Sequence, residues 1–285
     1  MQFSCKEAEL YIPDGVEESA ALARTTHLAI GAHQDDLEIM ACEGILTCFQ
    51  QPDLWYTGVV VTNGSGSPRS DVYANYSDDE MVKIRRKEQK KAALIGDFAA
   101  QFLLDFPSGA VKSPTDDAPI NDLVRILEAT RPKILYTHNL ADKHDTHIGV
   151  TMKVLHALRR LEPEARPEKV YGCEVWRDLD WMVDTDKIAF DVSARENLQF
   201  ALLGVFDSQI AGGKRYDLST MGRRRAHATY HQSHGVDETT GITFGMDLTP
   251  LMAADPFDPV AFVQHYINRF HEDVTDRVAR IAGNG

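Results

Sequence analysis

The first half of the chain alternates strand-like and helix-like segments, and this alternation restricts the fold more than any other feature. Short apolar or β-branched runs are each followed by segments whose apolar residues recur at helical spacing. Strands joined by crossover helices pair in parallel and carry helices on both faces. The pattern predicts an α/β fold with a Rossmann-like, mostly parallel sheet. The strand-like runs are HLAIGA (27–32), WYTGVVVT (55–62), QFLLDF (101–106) and KILYTH (133–138).

Four helices are predicted between and after these strands. They cover 36–51, a segment reaching about Gly96, 118–131 and 147–161. The second of them opens with Ser77 and Glu80, which form a capping-box pattern.

The second half of the chain is less regular. Strands are predicted over 169–176 and 187–193, and Ser193 with Glu196 forms another capping-box pattern before a helix. Residues 212–260 are rich in turn residues and are predicted to form loops and short elements over the site, before a closing helix at 261–281. Because no linker separates the halves, we expect one domain over residues 1–285 with an irregular C-terminal extension.

Composition excludes several classes of function. The chain has 285 residues, 43% of them apolar, which is enough for one well-buried domain. A formal charge of −13 disfavours nucleic acid as a partner. No apolar run is long enough for a membrane span, and the N-terminus does not resemble a secretory signal. The four cysteines form no CxxC pair and resemble reduced thiols, so a cytoplasmic location is expected.

Three polar loops follow predicted parallel strands. They are GAHQDD, TNGSGSPRSD and HNLADKHDTH. Ligands of such sheets bind beyond the carboxyl ends of the strands, so the three loops should open onto one edge. The second loop lacks a phosphate-binding pattern and is interpreted as a mobile active-site loop, with Asn63 and Arg69 as candidate substrate contacts.

Two of these loops carry metal-ligand chemistry. His33 and Asp36 lie three residues apart at a strand-to-helix turn, and His147 begins a helix on the same predicted edge. Two imidazoles and one carboxylate suit a catalytic Zn²⁺ site with an open fourth position. The neighbouring carboxylate could serve as a general base, although spacing does not decide which of Asp35 and Asp36 binds the metal. The alternative for either loop alone is a solvated helix start.

A second histidine cluster competes with this site. His227, His231 and His234 are spaced four and three apart, which suits a metal on one helix face. Few carboxylates lie nearby in sequence. A substrate-facing loop, with His231 as a candidate contact, is the favoured interpretation, and simple surface polarity is the alternative.

At these residues the sequence resembles the PIG-L/LmbE-like deacetylases. Their first motif, AHPDD, corresponds to Ala32 through Asp36, and their second, His-x-Asp-His, to His144 through His147. Weaker matches, in the same order as in the family, are Arg85 to Glu88, Ala92 to Gly96, Asp191 to Ser193, and Ser208-Gln209. The resemblance spans about 27–210, which would form the core of the domain.

The resemblance implies a zinc-dependent deacetylase acting on glucosamine-containing or related N-acylated small molecules. It implies His33, Asp36 and His147 as zinc ligands and Asp35 as the general base. His144 would stabilise the oxyanion and Arg85 would face the substrate. Fe²⁺ or another divalent ion would suit the same ligands. Relatives often associate, so a homo-oligomer is an open expectation.

Three positions depart from the family pattern. Gln34 stands for the usual proline, and Thr146 stands for an aspartate that orients or charges the neighbouring histidine. Ser108 stands where a sugar-contacting aspartate is expected. Ser108 predicts a different sugar pocket. Two alternatives stay open. Another metal hydrolase, for example one acting on phosphoesters or a different amide, would fit the same ligands, and a non-catalytic metal- or sugar-binding protein would fit if Thr146 and Ser108 mark a decayed site.

Overall fold

The computed structural model describes residues 1–283 and has an eight-stranded sheet at its centre. The strands lie in the order β1-β4-β3-β2-β5-β6-β8-β7. They are β1 (Glu9–Tyr11), β2 (His27–Gly31), β3 (Tyr56–Thr62), β4 (Ala100–Phe106), β5 (Ile134–His138), β6 (Lys169–Cys173), β7 (Ile188–Asp191) and β8 (Ile242–Asp247).

The five central strands are parallel, and the three outer strands are antiparallel to their neighbours. His27 of β2 pairs with Tyr56 of β3 on one side and with Ile134 of β5 on the other. The strand order reverses between β2 and β5. A crevice therefore opens beyond the carboxyl ends of these two strands, where ligands of such folds bind.

Helices cover both faces of the sheet, as predicted. The alternation of side chains along β2 shows why, since Leu28 and Ile30 join one apolar core and Ala29 joins the other. The helices are α1 (Glu18–Ala23), α2 (Asp36–Met40), α3 (Cys42–Cys48), α4 (Asp78–Ile95), α5 (Ser108–Lys112), α6 (Ala118–Thr130), α7 (Asp145–Arg160), α8 (Glu196–Gly204), α9 (Asp207–Ile210), α10 (Tyr216–Tyr230) and α11 (Pro259–Ile281).

Local signals explain several helix boundaries. The capping box at Ser77 and Glu80 is present at the start of α4, where both reciprocal hydrogen bonds form. The predicted helix over 36–51 is interrupted at Ala41, which separates α2 from α3. The predicted capping box at Ser193 is wrong, because the Ser193 side chain bonds Asp191 and the backbone of residues 240 and 241 instead. Helix α8 starts after Arg195, with φ 51°.

The largest difference from the sequence prediction lies in residues 212–260. They contain a 15-residue helix, α10, and a strand, β8, that enters the main sheet between β6 and β7. The prediction of loops and short elements was wrong here. Strand β8 is buried, yet its ITFGMD sequence is short and interrupted by Gly245, so its periodicity is weak. The division into one domain with a core at 27–210 stays a prediction.

The C-terminal helix forms close to its predicted position. Phe262, Val263 and Tyr266 of α11 pack against one of the two cores, and no residue of α11 lines the main cavity. None of the helices in residues 1–283 is long and apolar enough to cross a bilayer.

Candidate active site

A cavity of about 490 Å³ opens beyond the carboxyl ends of the parallel strands. It is lined by residues of all three polar loops singled out in the sequence, including His33, Asn63 and His144. The prediction that these loops meet at one edge is therefore confirmed. Helix α5 and the segment between α9 and α10 also contribute to the lining, with Ser108, Lys112 and Lys214.

Three donor atoms form a nearly equilateral triangle at the bottom of this site. His33 Nδ1 lies 3.3 Å from Asp36 Oδ2 and 3.2 Å from His147 Nε2, and the last two atoms are 3.4 Å apart. Ligands about 2.0–2.1 Å from a tetrahedral ion are about 3.3 Å from one another. The three donors therefore fit three corners of a tetrahedral divalent metal site.

Backbone geometry brings these donors together. His33 lies in the bend after β2, and its N–H donates to Asp36 Oδ2 at 2.7 Å. Asp36 is the first residue of α2, and His147 lies in the first turn of α7. Because β2 and β5 are neighbours in the sheet, the loops that follow them place His147 against His33 although 114 residues separate the two in sequence.

Two further buried residues support the triangle. Asp142 Oδ2 lies 3.4 Å from His147 Nδ1, which leaves Nε2 of this ring for the metal. His138 stacks on His147 with ring centroids 3.8 Å apart, and its Nε2 accepts the N–H of Ala32 at 2.9 Å. Asp142 also accepts the N–H of His144 at 2.9 Å, so one carboxylate fixes both histidines of the second motif.

Asp35 lies beside the triangle in an unusual backbone conformation. Its φ is 94°, in the left-handed region that disfavours residues other than glycine. Its N–H donates to Gln89 Oε1 at 3.2 Å, and its Oδ2 lies 3.4 Å from the Arg85 guanidinium. Asp35 is 5% exposed, and it lines the cavity. The buried carboxyl group is therefore held in one orientation by helix α4.

The two adjacent aspartates have opposite electrostatics. Burial raises the pKa of Asp35 to about 8, against the opposing effect of Arg85. Burial would also raise the pKa of Asp36, but the surrounding imidazoles of His147, His138 and His33 outweigh it and lower that pKa. Asp36 is thus ionised, whereas Asp35 is a carboxyl group that binds a proton easily.

His144 lines the cavity, and within residues 1–283 it has no carboxylate partner. Its ring stacks on His147 with centroids 4.6 Å apart, and its buried Nδ1 has no hydrogen-bond partner in the described part of the chain. Burial and the neighbouring His147 lower the pKa of His144, so its ring is neutral. The adjacent Thr146, where the family pattern has an aspartate, supplies no charge that would oppose this effect.

Arg85 ties the glycine-rich loop to the first motif. The guanidinium donates to the Gln34 carbonyl at 2.5 Å and to the Ser67 hydroxyl. It is 3% exposed, and it also approaches the Gly64 carbonyl at 3.4 Å. Arg85 lines the cavity, but its hydrogen bonds go to other residues of the protein, so its role in substrate binding stays a prediction.

The comparison with protein families agrees with this arrangement. Residues 28–158, from β2 through most of α7, match the model of the PIG-L family, described as GlcNAc-PI de-N-acetylase. Residues 28–158 are therefore similar to a PIG-L domain. The matched residues include both loops of the donor triangle, so the resemblance seen in the sequence is confirmed.

Solved structures show how widely this fold is used. The chain resembles N,N'-diacetylchitobiose deacetylase of Pyrococcus horikoshii, with 17% identity, a TM-score of 0.59, and coverage of 78% of this chain and 84% of that one. It also resembles the 4-carboxy-2-hydroxymuconate hydratase of Pseudomonas putida, with 15% identity, a TM-score of 0.61, and coverage of 81% and 98%. At these identities the likeness shows the fold alone, and because one of these proteins is a hydratase, function must be argued from the site.

Two predicted substrate contacts do not line the cavity. Arg69 bonds the Ser65 carbonyl at 3.0 Å and pairs with Asp78 at the surface. His231 follows the end of α10 and lines a separate small pocket of about 90 Å³. Tyr216, at the start of α10, does line the cavity, and 15 helical residues span about 22 Å. The helix therefore carries His231 away from the site.

The histidine cluster of α10 is not a metal site in the described structure. Among residues 1–283, the groups whose ligand atoms converge are His33, Asp36 and His147, and the overlapping group of His138, Asp142 and His147. His227 instead stacks on Phe244 with ring centroids 4.4 Å apart.

Sequence reasoning missed several residues that build the site. Asp142 is five residues before His147 in the same polar loop, so a survey of carboxylates around the second motif could have found it. Gln89 lies four residues after Arg85 and therefore on the same face of α4. This spacing is a weaker indication that Gln89 belongs to the site. Trp176 and Lys214 line the cavity from segments that carry no motif.

Proposed function

We propose that the chain is a metal-dependent amide hydrolase that removes an N-acetyl group from a glucosamine-containing or related N-acylated small molecule. The observation that carries the proposal is the triangle of donors in His33, Asp36 and His147, with edges of 3.2 to 3.4 Å, next to the carboxyl group of Asp35. The family description and the deacetylases among the similar structures support the same reaction.

Zn²⁺ is the ion that this donor set suits best, and when bound it supplies Lewis-acid chemistry that polarises a carbonyl and acidifies water. The protein supplies the proton transfers. Asp35 would accept a proton from the attacking water and then donate it to the departing amine. Its orientation is fixed by Gln89 and Arg85, so the carboxyl group is already in place before substrate arrives.

His144 has a different task in this proposal. Its neutral ring lies on the cavity wall against His147, and one ring nitrogen would donate a hydrogen bond to the oxygen that becomes negatively charged during attack. A neutral donor would suffice for this role, which makes the loss of an aspartate at Thr146 compatible with activity.

The proposal is tested by measuring metal content and amine release on the same preparations. Wild-type protein should contain a divalent ion and release amine and acetate from N-acetylated sugars. The Asp35→Asn variant keeps the size of the side chain, so it should retain metal while losing roughly 100-fold or more in turnover. Equal turnover by this variant, or release of phosphate from phosphoesters in place of acetate from amides, would contradict the proposal.

A further inference from the structure

Two lysines line the cavity without a part in the proposed reaction. Lys112 is the last residue of α5, and Lys214 lies just before α10. Within residues 1–283, neither has a carboxylate within the 4.0 Å of an ion pair. The third cation of the lining, Arg85, is already engaged by Asp35 and by main-chain oxygens.

The lysines come from different walls. Helix α5 packs closely against α7. A Cβ added at Gly149 of α7 would lie only 2.7 Å from the carbonyl oxygen of Val111 in α5. Lys214 lies next to the glycine-rich loop, since a Cβ at Gly213 would lie 3.7 Å from Ser70. The Lys214 Nζ also lies 5.0 Å from the centroid of the Trp176 ring, which itself lines the cavity.

The charge of the cavity is opposite to that of the whole molecule. In the described part of the chain, the carboxylates that line it are Asp35 and Asp36, and the proposed reaction uses both. A divalent ion would add two positive charges to those of Lys112, Lys214 and Arg85. The chain as a whole carries −13, which repels anions at a distance, so the lysines that line this cavity would serve to attract one locally.

We propose that the N-acylated substrate carries an anionic group, a carboxylate or a phosphate, that is bound by Lys112 and Lys214. This inference rests on the proposed function and specifies the class of substrate that the proposed hydrolase would accept. Ser108, one turn before Lys112 on the same helix, also lines the cavity and offers a neutral hydroxyl in place of a repelling carboxylate. Neutral N-acetyl sugars are then poor ligands, because they leave both ammonium groups without a partner.

The test compares three probes that share an N-acetylated glucosamine ring. N-acetylglucosamine is neutral, its 6-phosphate carries a phosphate, and N-acetylmuramic acid carries a carboxylate. Dissociation constants are measured by calorimetry on the full-length protein, and kcat/KM for amine release is measured separately. One or both anionic probes should bind roughly 10-fold or more tightly than the neutral probe, and the preferred probe identifies the anion.

Substitution locates the effect. Lys112→Met and Lys214→Met should each weaken binding of the preferred anionic probe by about 10-fold, while binding of N-acetylglucosamine stays unchanged. Lys91→Met is the matched control, since Lys91 is an exposed lysine on α4 that does not line the cavity. Equal binding of the three probes, or an anion preference that survives in the double variant, would overturn the inference. Absence of amine release from every probe would instead count against the proposed function, because binding is read independently of turnover.

Discussion

The main-chain N–H of Asp35 donates to the side-chain Oε1 of Gln89 at 3.2 Å, across 54 residues of sequence. The side-chain amide of Gln89 also donates, through its Nε2, to Glu38 Oε1 at 2.9 Å. Gln89 is fully buried, and Asp35 has the left-handed φ of 94°. A single side chain of α4 therefore holds both the main chain of Asp35, next to the donor triangle, and the helix that begins with Asp36.

Removal of this amide should weaken both the fold and the site. Gln89→Met keeps the volume but leaves the Asp35 N–H and the Glu38 carboxyl group without partners, which should cost about 1–3 kcal/mol in free energy of unfolding. Turnover should fall as well, since the strained backbone of Asp35 loses its anchor. Denaturant unfolding and kcat measure the two effects. Gln232→Met, at an exposed position, is the control, and equal stability of the two variants would refute the expectation.

Asp142 should control metal affinity. Its Oδ2 lies 3.4 Å from His147 Nδ1 and accepts the Trp176 N–H at 3.1 Å. Asp142→Asn places an amide N–H against these donors, so Zn²⁺ affinity should fall about 10- to 100-fold. Competition with a chromogenic chelator measures the dissociation constant. The control is Asp145→Asn, an exposed carboxylate in the first turn of α7. An unchanged constant for the Asp142 variant would show that His147 needs no carboxylate support.

Two glycines of the loop after β3 should respond differently to alanine. Gly64 has φ +71°, and a Cβ there would lie 2.3 Å from Gln34 Oε1 and 2.9 Å from an Arg85 guanidinium nitrogen. Gly64→Ala should therefore cost about 1–2 kcal/mol in stability and displace Arg85 from Asp35. At Gly66 a Cβ would meet no atom within 4 Å. Gly66→Ala should leave the unfolding midpoint and the turnover unchanged, and similar losses in both variants would contradict this account.

Stability should depend on pH through two buried groups with opposite effects. Burial raises the pKa of Glu174 to about 7, whereas burial lowers the pKa of His227 to about 4. The folded protein keeps the Glu174 proton at pH values where the unfolded chain has already released it. The contribution of Glu174 to the free energy of unfolding therefore decreases as the pH rises from about 4.5 to about 7. His227 stays neutral in the folded state, whereas the unfolded chain binds a proton there. Its contribution to the free energy of unfolding therefore increases as the pH rises from about 4 to about 6.5.

The Glu174→Gln variant separates these contributions. Relative to wild type, its free energy of unfolding should increase with pH by up to about 1.4 kcal/mol per unit between pH 4.5 and 7. Denaturant titrations at several pH values measure the difference. A constant difference between variant and wild type across this range would show that Glu174 is ionised in the folded protein throughout.

The central sheet could be predicted because its strands are continuous apolar runs. HLAIGA and KILYTH each lie between layers of helices, and burial on both faces leaves a strong signal in sequence. The meeting of the two loops that form the donor triangle could be predicted as well, since the carboxyl ends of parallel strands share an edge. His33 and His147 meet there for a reason that needs only the order of the strands.

The role of Gln89, the position of His231 and the place of strand β8 depend on tertiary contacts, which a local sequence pattern does not contain. The role of Gln89 arises because its side chain reaches the Asp35 N–H and the Glu38 carboxyl group, and a single buried amide leaves no periodicity. His231 was misplaced because residues 212–260 were predicted as loops, whereas α10 carries that end of the segment away from the cavity. Strand β8 gains its place in the sheet from pairing with β6 and β7 at both edges, not from its own sequence.

The pairing of β2 with β5 has a consequence for how the site tolerates change. His27 faces Ile134 in this register, and a slip of one residue would move the following loop by about 3.3 Å. That displacement equals a whole edge of the donor triangle. Backbone hydrogen bonds between two strands that contribute no donor to the triangle therefore fix the positions of the donor atoms. A misaligned pairing of these strands during folding would yield a compact protein whose donor atoms do not meet.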